Sequence, residues 1–390
     1  AIGQVFDNAA DLVIGGGSGF TVAQAKLDSV TSVSHTEVSA TYGPDGNTDK
    51  YDATDCVVLS HTQITCNTEP GVGGNLKWVV IIGGQESVPS TAFTNYISPT
   101  LIAMSGDAVN GPTATTGDAA ITLTGDNFGP NGSENVVVTY GPEGSPTKYN
   151  ARSCVVASEG TLQNTITCTT TAGVGINLKW QVSISLQTSI HGPNDGSTTS
   201  YVAPEIEGIV GGSSPTDGGA TITLTGTSFG PIGNNDTSAR YGPSSNPTKY
   251  LVGQCVVIGQ TEMACVTIPG IGIDHQWSVI VGTQVSTPEY TTTKTSYMAP
   301  AISSGTLDVG KSTLDTVGNQ NVWLNGTNFG TVSEGATAIS ATFGVGGTGF
   351  TVPSANCVVT VDHVQILCTT VPLYGSSLQW KVVVGGQLSN

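Results

Sequence analysis

Positive charge is scarce in this chain. Its 390 residues include 11 Lys plus Arg against 28 Asp plus Glu, a formal net charge of −17. Binding a nucleic acid takes a basic stripe that displaces counterions, and so few cations cannot build one, so a nucleic-acid partner is excluded. Charge of either sign is thin: 10% of residues, against about 25% in an average soluble domain. Coiled coils and long solvent-bridging helices, which draw on Glu, Lys and Arg, are excluded with it. Long apolar runs are missing too. Trp78–Ile82 is typical of those present, far short of the ~20 residues that cross a bilayer, so this segment carries no membrane span. The chain opens on Ala1 without a leader-like stretch and reads as a processed chain or an excerpt.

What is present points to β structure. Hydrophobic residues make up 37% of the chain, enough to exclude a disordered polymer, and 52 glycines punctuate it. Ile121-Thr122-Leu123-Thr124-Gly125 and Ile222-Thr223-Leu224-Thr225-Gly226 alternate apolar and polar residues and stop at glycine. That is the pattern of a half-buried strand running into a turn.

Four markers recur in fixed order with a period of about 100 residues. Cysteines pair as Cys56 and Cys66, Cys154 and Cys168, Cys255 and Cys265, and Cys357 and Cys368. A tryptophan follows each pair: Trp78, Trp180, Trp277 and Trp380. An aromatic-Gly step precedes each pair, at Tyr42, Tyr140, Tyr241 and Phe343. A unit of this length is a domain, and about seven short strands per unit with Gly/Pro turns read as an Ig-like β-sandwich. The expected fold is therefore all-β, four tandem sandwiches arranged as a rod, with domains at 1–96 (divergent), 97–201, 202–297 and 298–390. Ala1-Ile2 repeats Ala301-Ile302, which suggests four whole units. Ser/Thr/Pro-rich linkers, at 87–99, 189–204 and 286–300, close on Tyr96, Tyr201 and Tyr297 with Pro three residues on. Proline makes these semi-rigid joints.

The run Thr221–Gly230, preceded by Ala203-Pro204 and Gly218-Gly219, resembles the IPT/TIG family of Ig-like domains. The block recurs at Gly117–Gly129 and more loosely at Gln320–Gly330, while Ile14–Phe20 replaces it in the divergent first unit. The resemblance spans all four units. It implies a sandwich with an adhesive or scaffolding role and no catalytic residue set. The family's transcription factors bind DNA through basic loops, which this chain lacks.

Paired cysteines flanking a hairpin turn read as one disulfide per unit, placing the chain in an oxidising, extracellular or cell-surface setting. Metal ligation wants four convergent ligands, and each unit has two cysteines. No position carries histidine in all four units; His35, His61, His191, His275 and His363 give no triad. The acidic run Asp45, Asp49, Asp52, Asp55 has Lys50 where a calcium loop needs glycine, so it reads as a solvated loop, with Ca²⁺ not excluded. The Gly-x-Gly stretches at Gly71, Gly173 and Gly270 precede strands, not helices, and read as turns rather than phosphate loops. No cofactor is implied.

The four repeat tryptophans alternate with valines on an apolar face and belong to cores. Trp323 takes the outward position held by Thr122 and Thr223, which makes it an interface candidate. Val79 and Ile81, where the second unit has Gln181 and Ser183, are the other two. Asn131, Asn235 and Asn325 lie in Asn-x-Ser/Thr sequons, and Thr291–Thr295 is a candidate O-glycan stretch, so covalent glycans are expected partners. The functional expectation is a non-enzymatic extracellular structural protein that self-associates into a glycosylated filament or appendage. The alternative is an adhesin or receptor ectodomain binding a protein or glycan.

Overall fold

A computed structural model describes residues 4–6, 11–13, 38–159, 162–191, 197–252, 255–307, 311–334 and 339–390. Its architecture is all-β, in tandem Ig-like sandwiches, and it divides into two compact units. The first holds Ala1–Thr113, Gly117–Thr171 and Ile176–Ser200; the second holds Ala114–Thr116, Ala172–Gly175 and Tyr201–Asn390.

The second unit shows the repeat most plainly. Strands Glu205–Val210, Thr221–Thr227, Glu262–Val266 and Cys255–Gly259 pair in that order into one sheet. Tyr250–Val252, Thr237–Gly242, Gln276–Val281 and Gln284–Val285 form the other. The next repeat copies both sheets: Ala301–Leu307, Asn321–Thr327, Gln365–Thr369 and Cys357–Val361, then Phe350–Val352, Ile339–Gly344, Gln379–Val384 and Gln387–Leu388. Alternation decides the faces. Ile222 and Leu224 are buried while Thr221 is exposed, and Val322 and Leu324 are buried on either side of Trp323.

In the first unit, Thr100–Ser105, Ala120–Asp126, Leu162–Thr169 and Arg152–Glu159 pair likewise, with Ile190–His191 added parallel to Thr100–Ser105. Lys179–Ile184 pairs with Val136–Gly141. The repeat before it is built differently. One long strand, Tyr51–Ser60, pairs with both Val38–Gly43 and Gln63–Asn67, joining six strands into a single sheet.

Each core centres on a stacked aromatic pair. Tyr42 lies on Trp78, Tyr140 on Trp180, Tyr241 on Trp277 and Phe343 on Trp380, with ring centroids 4.1–4.6 Å apart. All four cysteine pairs are disulfides, Cα–Cα 4.1–4.5 Å. Cys255 faces Cys265, and Cys357 faces Cys368, in direct cross-strand register, where paired Cα atoms lie about 4.5 Å apart.

The Ser/Thr/Pro linkers are part of the sandwiches. After Gln85–Glu86 the chain returns along the edge of Lys77–Ile82: Ser87 N–H donates to Val80 C=O, Ser90 N–H to Trp78 C=O, and Thr94 N–H to Leu76 C=O. Ser286, Thr291 and Thr295 repeat these bonds on Val279, Trp277 and His275. Thr291 and Thr295 are accordingly buried. That corrects the O-glycan expectation at both, because their hydroxyls face the Trp277 strand; Thr292 and Thr293 remain exposed.

The Gly-x-Gly turns have a packing task. Ile271 from Gly270-Ile271-Gly272 joins the core cluster of Leu324, Phe329 and Trp380, and Val174 joins that of Phe229 and Trp277. Each presses on the glycine of a Phe-Gly loop. A Cβ on Gly330 (φ +79°) would overlap Ile271 Cγ2, as one on Gly129 would overlap Val72 Cγ1. Glycine is needed there for close approach and for the left-handed backbone. Gly330→Ala should therefore destabilise the protein by about 2 kcal/mol in urea unfolding, combining backbone strain with overpacking. Gly386→Ala, also at positive φ but with open space around it, should cost about half as much.

Candidate functional site

The outer face of the sheet containing Asn321–Thr327 carries the most distinctive surface. Because strand side chains alternate, Asn321, Trp323 and Asn325 share that face. Register fixes their neighbours. Thr306, Trp323, Leu367 and Val358 lie in one row across four strands. Leu367 is half-buried and Val358 is 39% exposed. The matching row in the preceding repeat is Val210, Thr223, Ala264 and Val256, and in the one before that Ser105, Thr122, Thr167 and Val155. Only the row through Trp323 holds an aromatic ring.

Polar groups flank that ring. Gln365 Nε2 donates to Asn325 Oδ1 (2.9 Å), and Thr360 Oγ1 donates to Gln365 Oε1 (2.8 Å). Asn321 lies across from Thr369. Trp323 itself is half-buried. A flat aromatic surface bordered by fixed amides and hydroxyls suits a partner with an apolar face and a polar rim.

The other sequence-derived candidates fare differently. Val79 is 2% exposed and Ile81 half-buried. Val79 is therefore no surface residue. Its strand lies between Val38–Gly43 and the returning segment and is covered on both faces, so apolar residues in both alternating sets mark two-sided burial, not a partner. Asn131 sits exposed in the turn closed by Ser133 N–H to Pro130 C=O, and Asn235 is exposed too. Asn325 is half-buried beside Trp323. Asp45 pairs with Lys77 (2.9 Å), and Asp55 accepts from Asn67 (3.0 Å). Among the described residues no three His, Cys, Asp or Glu side chains group to hold a metal ion, and no helix is long and apolar enough to cross a membrane.

One group went unseen in the sequence. His275 is 1% exposed and meets the edges of Tyr241, Tyr250 and Tyr297, ring centroids 5.5–5.9 Å away. Tyr241 and Tyr297 hydroxyls lie 2.6 Å apart, and Tyr297 O–H donates to Ile268 C=O. Burial pushes all three tyrosines up. Burial, then the charge of Lys249, pulls His275 down from 6.5 to about 4. The signal was available: His275 holds the position of Leu76, Leu178 and Leu378, the apolar face of the last strand. Its chemistry is that of a core residue kept neutral.

No family model matches the chain, and no curated protein matches its sequence. Solved structures that resemble it include the plexin A4 full extracellular region, at 19% identity over 91% of this chain and 27% of that one, TM-score 0.24. A Bacteroides ovatus mixed-linkage glucan utilization locus protein, SGBP-B, in complex with a heptasaccharide, covers 96% of this chain and 91% of its own at 12% identity, TM-score 0.19. The surface glycan-binding protein PbSGBP-B from Prevotella bryantii covers 63% and 66% at 13% identity, TM-score 0.32. The chain spans about a quarter of the plexin region, and scores this low assign it neither partner nor activity.

His275 yields a pH dependence of defined sign. Its folded value is depressed, so below pH 6.5 the unfolded chain binds a proton that the folded chain refuses until about pH 4. The His275 contribution to stability should be complete above 6.5, fall by about 3 kcal/mol between 6.5 and 4, and be constant below. Urea unfolding across that range checks it. His275→Leu, restoring the residue of the other repeats, should remove this component of the slope.

Proposed function

We propose that the chain is a non-enzymatic extracellular or cell-surface protein of IPT/TIG-type repeats that holds a glycan or protein partner on the Trp323 face. The observation that carries this reading is the row Trp323, Leu367, Val358 with Asn321, Asn325 and Gln365 beside it. A sugar ring offers an apolar face to an indole and hydroxyls to amides, which is the chemistry this surface presents. Four disulfides support the oxidising setting.

A structural filament is the second reading, favoured by contacts that recur between repeats. Gln187 Nε2 donates to Tyr96 C=O (2.8 Å), Gln284 to Tyr201 C=O (2.9 Å) and Gln387 to Tyr297 C=O (2.8 Å). Glycans at exposed Asn131 and Asn235 would serve either role, whereas one at Asn325 would compete with a partner for the Trp323 face.

The test is retention on immobilised polysaccharides and on a glycan array. Trp323→Ala should weaken binding about tenfold with an unchanged melting temperature, and Trp323→Phe should retain part of it. Binding indifferent to both changes would remove the face from the reading. Long regular filaments in electron micrographs of the native material, with no glycan retained, would favour the second.

A further inference from the structure

The four disulfides fall into two kinds by register. In the second compact unit each pair is direct: Cys255 faces Cys265, and Cys357 faces Cys368. In the first unit one residue too many stands on the first strand of each hairpin. Pairing joins Thr54 to Asn67 and resumes with Val57 and Thr65, so Asp55 and Cys56 together oppose Cys66. It joins Arg152 to Thr169 and resumes with Val155 and Thr167, so Ser153 and Cys154 together oppose Cys168. Each is a β-bulge whose first residue takes the left-handed backbone, Asp55 at φ +50° and Ser153 at φ +52°.

A bulge re-aims the side chain that follows it. Cys56 and Cys154 are half-buried, whereas Cys255, Cys265, Cys357 and Cys368 are at most 1% exposed. Their partners Cys66 and Cys168 stay in the core, each 3% exposed. Each first-unit disulfide therefore has one end at the surface and one end inside. The charges beside the two surface ends differ. Asp55 precedes Cys56 directly and accepts from the neutral Asn67 (3.0 Å). Near Cys154 the charges balance, because Arg152 Nη2 lies on Asp118 Oδ1 (2.7 Å).

We propose that Cys56–Cys66 and Cys154–Cys168 are sites of exchange with low-molecular-weight thiols, and that the other two disulfides are inert in the folded protein. An incoming thiolate attacks Sγ of Cys154 and forms a mixed disulfide there. The protein S–S bond breaks, and its electron pair leaves on Cys168, which takes a proton from water. Cys56 and Cys66 react in the same roles. A second thiolate then attacks the small-molecule sulfur of the mixed disulfide, which releases the protein dithiol and an oxidised thiol dimer. Access selects the two bonds, because exchange requires the thiolate to reach a sulfur. Charge ranks them: an anionic thiol is repelled at Asp55, so Cys154 leads. The proposal holds whatever the Trp323 face binds.

The test incubates the native protein with excess reduced glutathione, quenches with an alkylating agent and maps each cysteine by peptide mass. Glutathione should appear on Cys154, with the alkyl group on Cys168, and on Cys56 about fivefold more slowly. Both rates should rise in proportion to thiol concentration, while the disulfides of the second unit stay intact until urea is added. Neutral β-mercaptoethanol should narrow the gap between the two sites, and Asp55→Asn should speed glutathione at Cys56 while leaving Cys154 unchanged. Equal rates at all four disulfides would overturn the proposal, as would rates independent of thiol concentration, which mark exchange through global unfolding. Absence of exchange in the native protein would overturn it too.

Discussion

A buried indole must place its N–H on an acceptor, and this requirement organises the repeats. Trp78, Trp180 and Trp277 lie in their cores, each stacked on a tyrosine. The acceptor is a threonine hydroxyl on a segment that looks in sequence like a tether. Bringing that threonine to the indole forces the segment back along the last strand. Main-chain pairing and the Ser87 and Ser286 hydroxyls hold it there. A tyrosine two residues on then closes the first and third cores with its own hydroxyl pair.

The same segment governs how repeats follow one another within each unit. The tyrosine that closes a core offers its carbonyl outward to a glutamine of the next repeat. Alongside, Val72 or Ile271 from the Gly-x-Gly turn lies against a Phe-Gly loop whose glycine has no Cβ to obstruct it. Burying one such aliphatic side chain is worth about 1.5–3 kcal/mol. Modest contacts, repeated, do the joining, and between the third and fourth repeats an ion pair from Lys249 Nζ to Glu334 Oε1 (3.0 Å) is added.

Much of this was legible. The cysteine spacing located four disulfides, and the Trp and aromatic-Gly markers located four stacked aromatic pairs, because covalent partners and core aromatics tolerate little substitution of type. Alternation placed Trp323 outward correctly. It failed at Val79, where both faces of a strand are covered and period-2 logic has nothing to distinguish. It also hid the returning segments: Thr, Ser and Pro compose a solvated linker and an edge strand equally well, and only the partner across the sheet decides. His275 was passed over as an isolated histidine, although its register with Leu76 and Leu178 already put it in a core.

The acceptor in each Gln-to-Tyr contact is a main-chain carbonyl. A carbonyl is the one group that mutation cannot delete. For this hydrogen bond, a repeat bearing the glutamine needs no particular side chain ahead of it, only a chain that returns in the same register. Gene duplication or unequal recombination can then lengthen, shorten or reorder such an array without inventing a new junction. The divergent first repeat, whose described residues join six strands in one sheet, is the kind of replacement that such tolerance permits.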